Sequence, residues 1–403
     1  MTIRVDFCQA PEDFAHTYRP ISHYFGGTIR ESDLANMTQI FDYRRSLRAW
    51  DGDLVVGGAG SHSHRLTVPG GEAEAAAVTI VGVLPTHRRR GVLRSLMREQ
   101  LDRIHEAGEP LAYLWASEET IYGRFGYGMA SLAASIELPK SDGVLDDLPL
   151  RGEIRYLTEE EAYEPISQLH ERIRPQYPGM FSRPESWWKL RTLIDLEHRR
   201  GGGGVLNRVV LSLDGRPEAY ALYRMHQSLR AGISHGYVNV IEALGATPEA
   251  TREIWRFLAS IDWVANLKAS LLPLDHPLFF QMVRPRHARP TLIDGLWMRV
   301  VDVEKALAAR SITAASPVVL AIHDPFCPWN EGRYRVGDGK VERSTADPDL
   351  SMDVSALGSV YLGGFTFRQM VRAERMVEHT TGAAGRADLV LPSAGLPWCP
   401  EIF

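Results

Sequence analysis

The spacing of apolar positions changes several times along the chain, and each change marks a predicted element. Residues 3–7 alternate as a strand does, residues 11–19 read as a short helix, and residues 54–58 and 76–84 are β-rich runs. From residue 92 to 104 the period shifts. Leu93, Leu96, Met97, Leu101 and Ile104 recur every three or four positions, and Gly108 with Pro110 supplies the stop, so a helix with one buried face is predicted. Residues 111–115 follow as a buried strand, and Ser117 stands where it would cap a short helix over 118–125 that Gly126 closes.

Periodicity then lapses. Residues 140–152 are rich in Asp, Gly and Pro, which places a domain boundary just after Leu138-Pro139. Beyond it, a helix over 159–173, strands over 208–213, 218–225 and 237–243, and a helix over 249–261 roughly repeat the earlier order. The run Gly201 to Gly204 has no helix after it, so it reads as a loop tip rather than a phosphate cradle. A proline-bounded stretch at 285–290 precedes a last region. There the segment Leu296-Trp-Met-Arg-Val300 leads to a helix over 304–309, strands over 318–322, 332–336 and 341–344, and helices over 354–362 and 366–377. The expected architecture is mixed α+β in three domains, 1–142, 143–292 and 293–403.

Composition narrows the class. At 403 residues with 44% apolar and 24% charged positions, the chain can bury large cores and divides into more than one domain. Fifty acidic against forty-five basic residues give a net charge of -5, which argues against a general nucleic-acid binder. The three cysteines, Cys8, Cys327 and Cys399, are scattered without a CxxC pair, so neither a disulfide framework nor a structural zinc site is expected. The apolar run over 75–84 is too short to span a bilayer, and the chain reads as a cytoplasmic protein with no membrane partner.

The densest candidate chemistry lies between the strand ending near Leu84 and the amphipathic helix. His87, Arg88, Arg89, Arg90 and Arg94 crowd a helix start, where the macrodipole is already positive, so the cluster is unfavourable unless an anion binds. Gly91 lets backbone approach that anion closely. The alternative is a solvated basic face. Neither a P-loop nor a Gly-x-Gly-x-x-Gly turn occurs, so the anion site belongs to neither of those nucleotide folds.

Here the sequence resembles a family. Arg88-Arg89-Arg90-Gly91-Val92-Leu93 is similar to the pyrophosphate loop of GNAT acetyltransferases, with Leu93 where most members carry Gly or Ala. Val81-Gly-Val-Leu-Pro before it, and Tyr122-Gly-Arg-Phe-Gly-Tyr127 after it, match further GNAT elements. Thr86-His-Arg-Arg-Arg-Gly91, Ala116-Ser-Glu118, Tyr220-Ala-Leu-Tyr-Arg224, Asp294-Gly-Leu-Trp-Met-Arg299 and Leu357-Gly-Ser-Val-Tyr-Leu-Gly-Gly364 together resemble the Eis (enhanced intracellular survival) N-acetyltransferases along the whole chain. The resemblance implies a catalytic GNAT domain, a second GNAT-like domain without cofactor, a sterol-carrier-like domain, and a homohexamer. Independently, the turn Leu244-Gly-Ala-Thr-Pro-Glu249 carries no arginine that could hold a pyrophosphate.

Acetyl transfer from a thioester to an amine needs a base for the amine, a polarised carbonyl and a proton for the thiolate. The resemblance assigns the base to the carboxylate of Phe403, whose pKa burial would raise, and the acid to Tyr122, with Tyr127 as competing candidate. Main-chain amides of Val81, Gly82 and Val83 would hold pantetheine and polarise the carbonyl. Arg88 to Arg90, Gly91, Val92, Leu93 and Arg94 would bind the pyrophosphate, and Ser117 with Glu118 would line the channel. Each aromatic residue has a simpler reading as core packing, and the tail as a terminus tied down for stability.

Other features carry less. His62, His64 and Asp51 lack metal-ligand spacing, Trp187, Trp188, Trp255 and Trp263 read as core or interface, and Glu31 and Asp33 fall in a predicted loop over 26–36. The expectation is an acetyl-CoA-dependent, metal-free amine N-acetyltransferase acting on aminoglycoside- or polyamine-like compounds or on lysine side chains. The alternative is a non-catalytic lipid- or partner-binding protein on the same scaffold.

Overall fold

A long hairpin organises the first of two units into which the chain divides. The computed structural model describes residues 3–24, 30–143 and 149–403. Unit one comprises residues up to 131, residues 296–394 and Phe403; unit two comprises residues 132–295 and 395–402.

In unit one, strands β1 (Arg4–Phe7), β2 (Ser46–Asp51), β3 (Leu54–Val68), β4 (Gly71–Val83), β5 (Leu111–Trp115) and β6 (Gly128–Met129) build a seven-stranded sheet together with Leu296–Val300. The order is β1-β2-β3-β4-β5, then 296–300, then β6. Helices α1 (Phe14–Ser22) and α2 (Glu31–Ile40) precede the hairpin, and α3 (Val92–Glu106) is the crossover between the parallel strands β4 and β5. The predicted face of α3 is the buried one: Leu96, Met97, Leu101 and Ile104 are in the core with Val92.

Two features open this sheet. Ile80 and Val81 stand opposite the single residue Ala59, a bulge in which Ile80 takes a left-handed φ of 49°. Pairing of β4 with β5 also stops at Ala77 and Tyr113, while β4 continues to Val83. The two strands therefore part beyond Ala77, leaving one edge of residues 78–83 unpaired with β5.

The rest of unit one is a five-stranded sheet, in the order Lys340–Ser344, Gly332–Gly337, Val318–His323, Leu350–Asp353, Met376–Glu378, with helices Val354–Tyr361, Phe367–Arg372 and Ala383–Val390. Helix Val354–Tyr361 lies on Leu296–Val300 and β6 so closely that a Cβ on Gly128 would sit 1.9 Å from the Ser355 oxygen. Arg299 adds a fully buried ion pair to Asp324 at 2.7 Å.

Unit two repeats the plan. Its sheet runs Thr291–Asp294, Leu132–Pro139, Asn266–Leu272, Tyr237–Gly245, Arg216–His226, Asn207–Leu213, Glu153–Tyr156, and helix Pro248–Ser260 crosses between the parallel pair Tyr237–Gly245 and Asn266–Leu272. Pairing ends at Val240 and Ala269, and Ile241 is bulged, as in unit one. Where unit one opens, unit two holds a buried carboxylate: Glu242 accepts from Arg183 at 3.0 and 2.6 Å and from the Tyr220 hydroxyl. Arg183 also pairs with Glu401 of the tail at 3.1 Å.

Several sequence expectations change. Strand Leu132–Pro139 joins the sheet of unit two and Leu296–Val300 that of unit one, so sheet membership crosses the boundaries expected at 142 and 292. Turn composition marks where chain is irregular, and it carries no information about which sheet a strand joins. Glu31–Ile40 is helical where a loop was expected, and residues 26–29 of that stretch lie outside the described ones. Ser117 caps nothing: the helix is α4 (Glu119–Tyr122), Glu118 is its N-cap residue, and a 3-10 turn Gly123–Phe125 follows. The helix expected over 366–377 ends at Arg372, and Met376–Glu378 is a strand. Trp187, Trp188 and Trp255 are core residues, whereas Trp263 is 70% exposed.

Candidate active site

Beyond the last β4–β5 pair lies a cleft of about 850 Å³ within unit one. Its walls come from four sources: Ile21 of α1 with Tyr24 just after it, residues 81–83 of β4, the arginine loop with the start of α3, and residues 117–125 after β5. Of the residues singled out from sequence, Val81, Gly82, Val83, Arg88, Arg89, Gly91, Val92, Leu93, Arg94, Ser117, Glu118 and Tyr122 all line it. Arg90 and Phe403 do not. Arg90 is exposed outside that lining.

The loop geometry follows from its sequence. Gly91 is the N-cap of α3 at φ 84°, a left-handed conformation that glycine adopts without penalty, and space around it is open. The first turn of α3 has no acidic residue and no side-chain cap, so its amides have no local acceptor from that source. Arg89, with no such freedom, is nonetheless held at φ 62°. Arginines Arg88, Arg89 and Arg94 thus surround a helix N-terminus suited to a phosphate-bearing ligand.

Just past β4, the Leu84 N–H bonds to the Val56 oxygen at 2.8 Å, which turns the polar groups of neighbouring Val83 to the open side. There the Tyr24 hydroxyl donates to the Val83 carbonyl at 2.5 Å. Gly82 acts through its lack of a side chain. A Cβ on it would approach Ile21 of α1 within 2.9 Å, so its bare backbone lets α1 form the neighbouring wall.

Tyr122 is 5% exposed at the end of α4, and burial pushes its phenol up to about 12, against a hydrogen bond with Ser117 that lowers it. It keeps its proton at neutral pH. Tyr127 stands 5.9 Å away edge-on, fully buried and outside the cleft lining, with its phenol raised still further by burial. Its hydroxyl has no hydrogen-bond partner among the described residues.

The Thr79 hydroxyl donates to the main-chain oxygen of Phe403 at 3.1 Å, and the Phe403 ring meets Tyr113 edge-on at 5.0 Å. Thr79 lies two positions past the last β4–β5 pair and two before Val81. In unit two the preceding tail is fastened: Glu401 accepts from Arg191 at 3.1 Å and from Trp187 at 3.0 Å, and Arg191 donates to the Ile402 oxygen at 2.8 Å.

Sequence reading placed His87 only in the basic cluster and missed Ile21, Tyr24, Ile121, Arg124 and Phe125 as cleft residues. The signal for Arg124 was available, since it stands inside the Tyr122 to Tyr127 motif; Ile21 and Tyr24 reach the cleft only through tertiary packing. His62 and His64 are buried near Phe41, and no group of three or more His, Cys, Asp or Glu among the described residues could hold a metal. No described helix is long and apolar enough to cross a membrane.

Residues 10–130 and 179–300 each match an acetyltransferase (GNAT) domain, and residues 303–400 match a sterol carrier protein domain. An uncharacterized N-acetyltransferase of Streptomyces avermitilis is 38% identical over 400 residues, covering 97% of this chain and 98% of its own. The N-acetyltransferase Eis of Mycobacterium tuberculosis is 33% identical over 359 residues, covering 86% of this chain and 85% of its own. The crystal structure of Eis1 from Mycobacterium abscessus superposes with a TM-score of 0.86 at 31% identity, with 100% of both chains covered.

Proposed function

Since the chain belongs to the Eis-type N-acetyltransferases of the GNAT superfamily, and is an N-acetyltransferase, we propose that it takes acetyl-CoA in the cleft of unit one and acetylates an amine by direct transfer. The observation that supports this reading is the Thr79 bond to Phe403, which sets that residue's main-chain oxygen against the strand that lines the cleft. The terminal carboxylate takes a proton from the attacking amine as nitrogen bonds to the thioester carbon. Amides of β4 stabilise the carbonyl oxygen as it gains charge. The carbon–sulfur bond then breaks, and the thiolate receives the proton of Tyr122.

Arg88, Arg89 and Arg94 with the first amides of α3 hold the pyrophosphate, Val81 and Val83 the pantetheine arm, and Ser117 and Glu118 the far side of the channel. Unit two binds no cofactor in this reading. Its equivalent helix start, at Pro248, is closed by the Thr247 hydroxyl accepting from the Ala250 amide, and its first turn carries the acidic Glu249, which would repel a phosphate. The acceptor is an amine of the aminoglycoside or polyamine kind or a lysine side chain. The protein works in the cytoplasm as a homohexamer without a metal. An acceptor screen with acetyl-CoA, following free thiol release and product mass, tests the proposal; thiol release with no acetylated amine among these classes would refute the acceptor assignment.

A further inference from the structure

The arginine loop is strained at Arg89, and a strained conformation persists only where its flanks are fixed. The far flank is α3, anchored through buried Val92. The near flank is His87, which ends the 3-10 turn Pro85–His87 and is itself 9% exposed. Its Nε2 lies 3.1 Å from Asp51 Oδ2, and its Nδ1 lies 2.8 Å from the Thr86 hydroxyl. Asp51 is the last residue of β2, so this bond ties the loop to the β2–β3 turn, an element remote in sequence.

An Asp close to an anion site would ordinarily weaken it. Here the imidazole stands between the carboxylate and the cleft: His87 lines the cleft with Arg88 and Arg89, and Asp51 does not. One tautomer satisfies both bonds, with Nε2–H donating to Asp51 and Nδ1 accepting from Thr86.

We propose that the Asp51–His87 pair is a positioning device for cofactor binding, holding the arginine loop in its anion-binding form before the ligand arrives. This rests on the cleft being the acetyl-CoA site. His87 is a positioning residue: it acts through the arginines and their backbone and takes no part in proton transfer to the amine or thiolate.

The test is a comparison of His87→Ala, His87→Gln, Asp51→Asn and the double variant Arg89→Ala with Arg94→Ala. Calorimetry with CoA and steady-state kinetics with acetyl-CoA are read for each. His87→Ala should raise the CoA Kd and the acetyl-CoA KM by about tenfold while kcat and the acceptor KM stay within about twofold, because only preorganisation is lost. The Gln variant keeps a donor toward Asp51 and should recover most of the affinity. Trypsin should cut ligand-free His87→Ala faster than wild type at Arg88 to Arg90. Unchanged CoA affinity in His87→Ala, with the arginine double variant weakened, would overturn this inference and leave the cofactor site standing. Unchanged affinity in the double variant would overturn the site itself. An equal fall of kcat in the Ala and Gln variants would assign His87 to the chemistry instead.

Discussion

Thr79 donates its hydroxyl to the main-chain oxygen of Phe403 at 3.1 Å, joining residues that are 324 positions apart in sequence. The donor sits on the strand whose next residues form the bulge and the cleft wall, so the main-chain oxygen of Phe403 is set beside the place where β4 leaves β5. If the carboxylate of Phe403 is the proposed base, adding one or two residues after Phe403 converts it to a peptide group and should lower kcat by about 10²-fold or more, with the thermal midpoint little changed. Thr79→Val, which keeps shape and removes the donor, should cost about 1.5–3 kcal/mol in transition-state stabilisation. Full activity in a tagged chain shown by mass to be uncleaved would exclude the role.

Tyr122 and Tyr127 separate by the same test. Tyr122→Phe should lower turnover about 10²-fold with acetyl-CoA affinity kept, since a proton donor is lost with little contact area. Tyr127→Phe should retain turnover, because its hydroxyl has no partner among the described residues to lose. A reversed pattern would exchange the two assignments.

The arginines should not be equivalent. Arg89→Ala and Arg94→Ala should each weaken CoA binding by about 1.5–3 kcal/mol, the worth of a charge-assisted contact, whereas Arg90→Ala, outside the cleft lining, should change it far less. Titration calorimetry at fixed salt reads this directly, and an Arg90 effect as large as the others would place the phosphate outside the cleft.

Unit two should be acid-sensitive through His276. This ring is 2% exposed between Trp255 and Trp398, its Nδ1 accepts from the Leu278 amide at 3.1 Å, and burial pushes its pKa down to about 3. The unfolded chain binds a proton near pH 6.5 that the folded chain refuses, so stability is full above that pH and falls as pH drops toward 3. The loss should approach about 1.4 kcal/mol per pH unit within that window. His276→Asn, which keeps an acceptor for Leu278, should flatten the slope in denaturant titrations between pH 6 and 4, and an unchanged slope would assign the sensitivity elsewhere.

How far the sequence reached depended on the range of the interactions involved. The amphipathic period of α3, the apolar β5 and the charge crowding before Gly91 are local, and each is recovered in the structure. The same holds for Tyr122, which a short motif fixes relative to Gly126 at φ 83°. Family membership was legible for the same reason, since it is carried by short runs of residues.

What pairs with what was not. Leu296–Val300 enters the first sheet between β5 and β6, and Leu132–Pro139 enters the second, because strand pairing is decided by backbone hydrogen bonds and by which faces can be buried together. Helix Glu31–Ile40 escaped notice because its apolar residues Leu34 and Met37 pack on Phe14, Phe41 and Ile80, partners supplied by other elements. Sequence alone determined the local chemistry, namely an arginine-rich helix start, a tyrosine motif and a stiff aromatic tail. Only the tertiary structure decided that β4 bulges at Ile80 and parts from β5, that His87 is tied to Asp51, and that Phe403 meets Thr79, since each depends on atoms brought together across tens to hundreds of residues by the burial of the sheets between them.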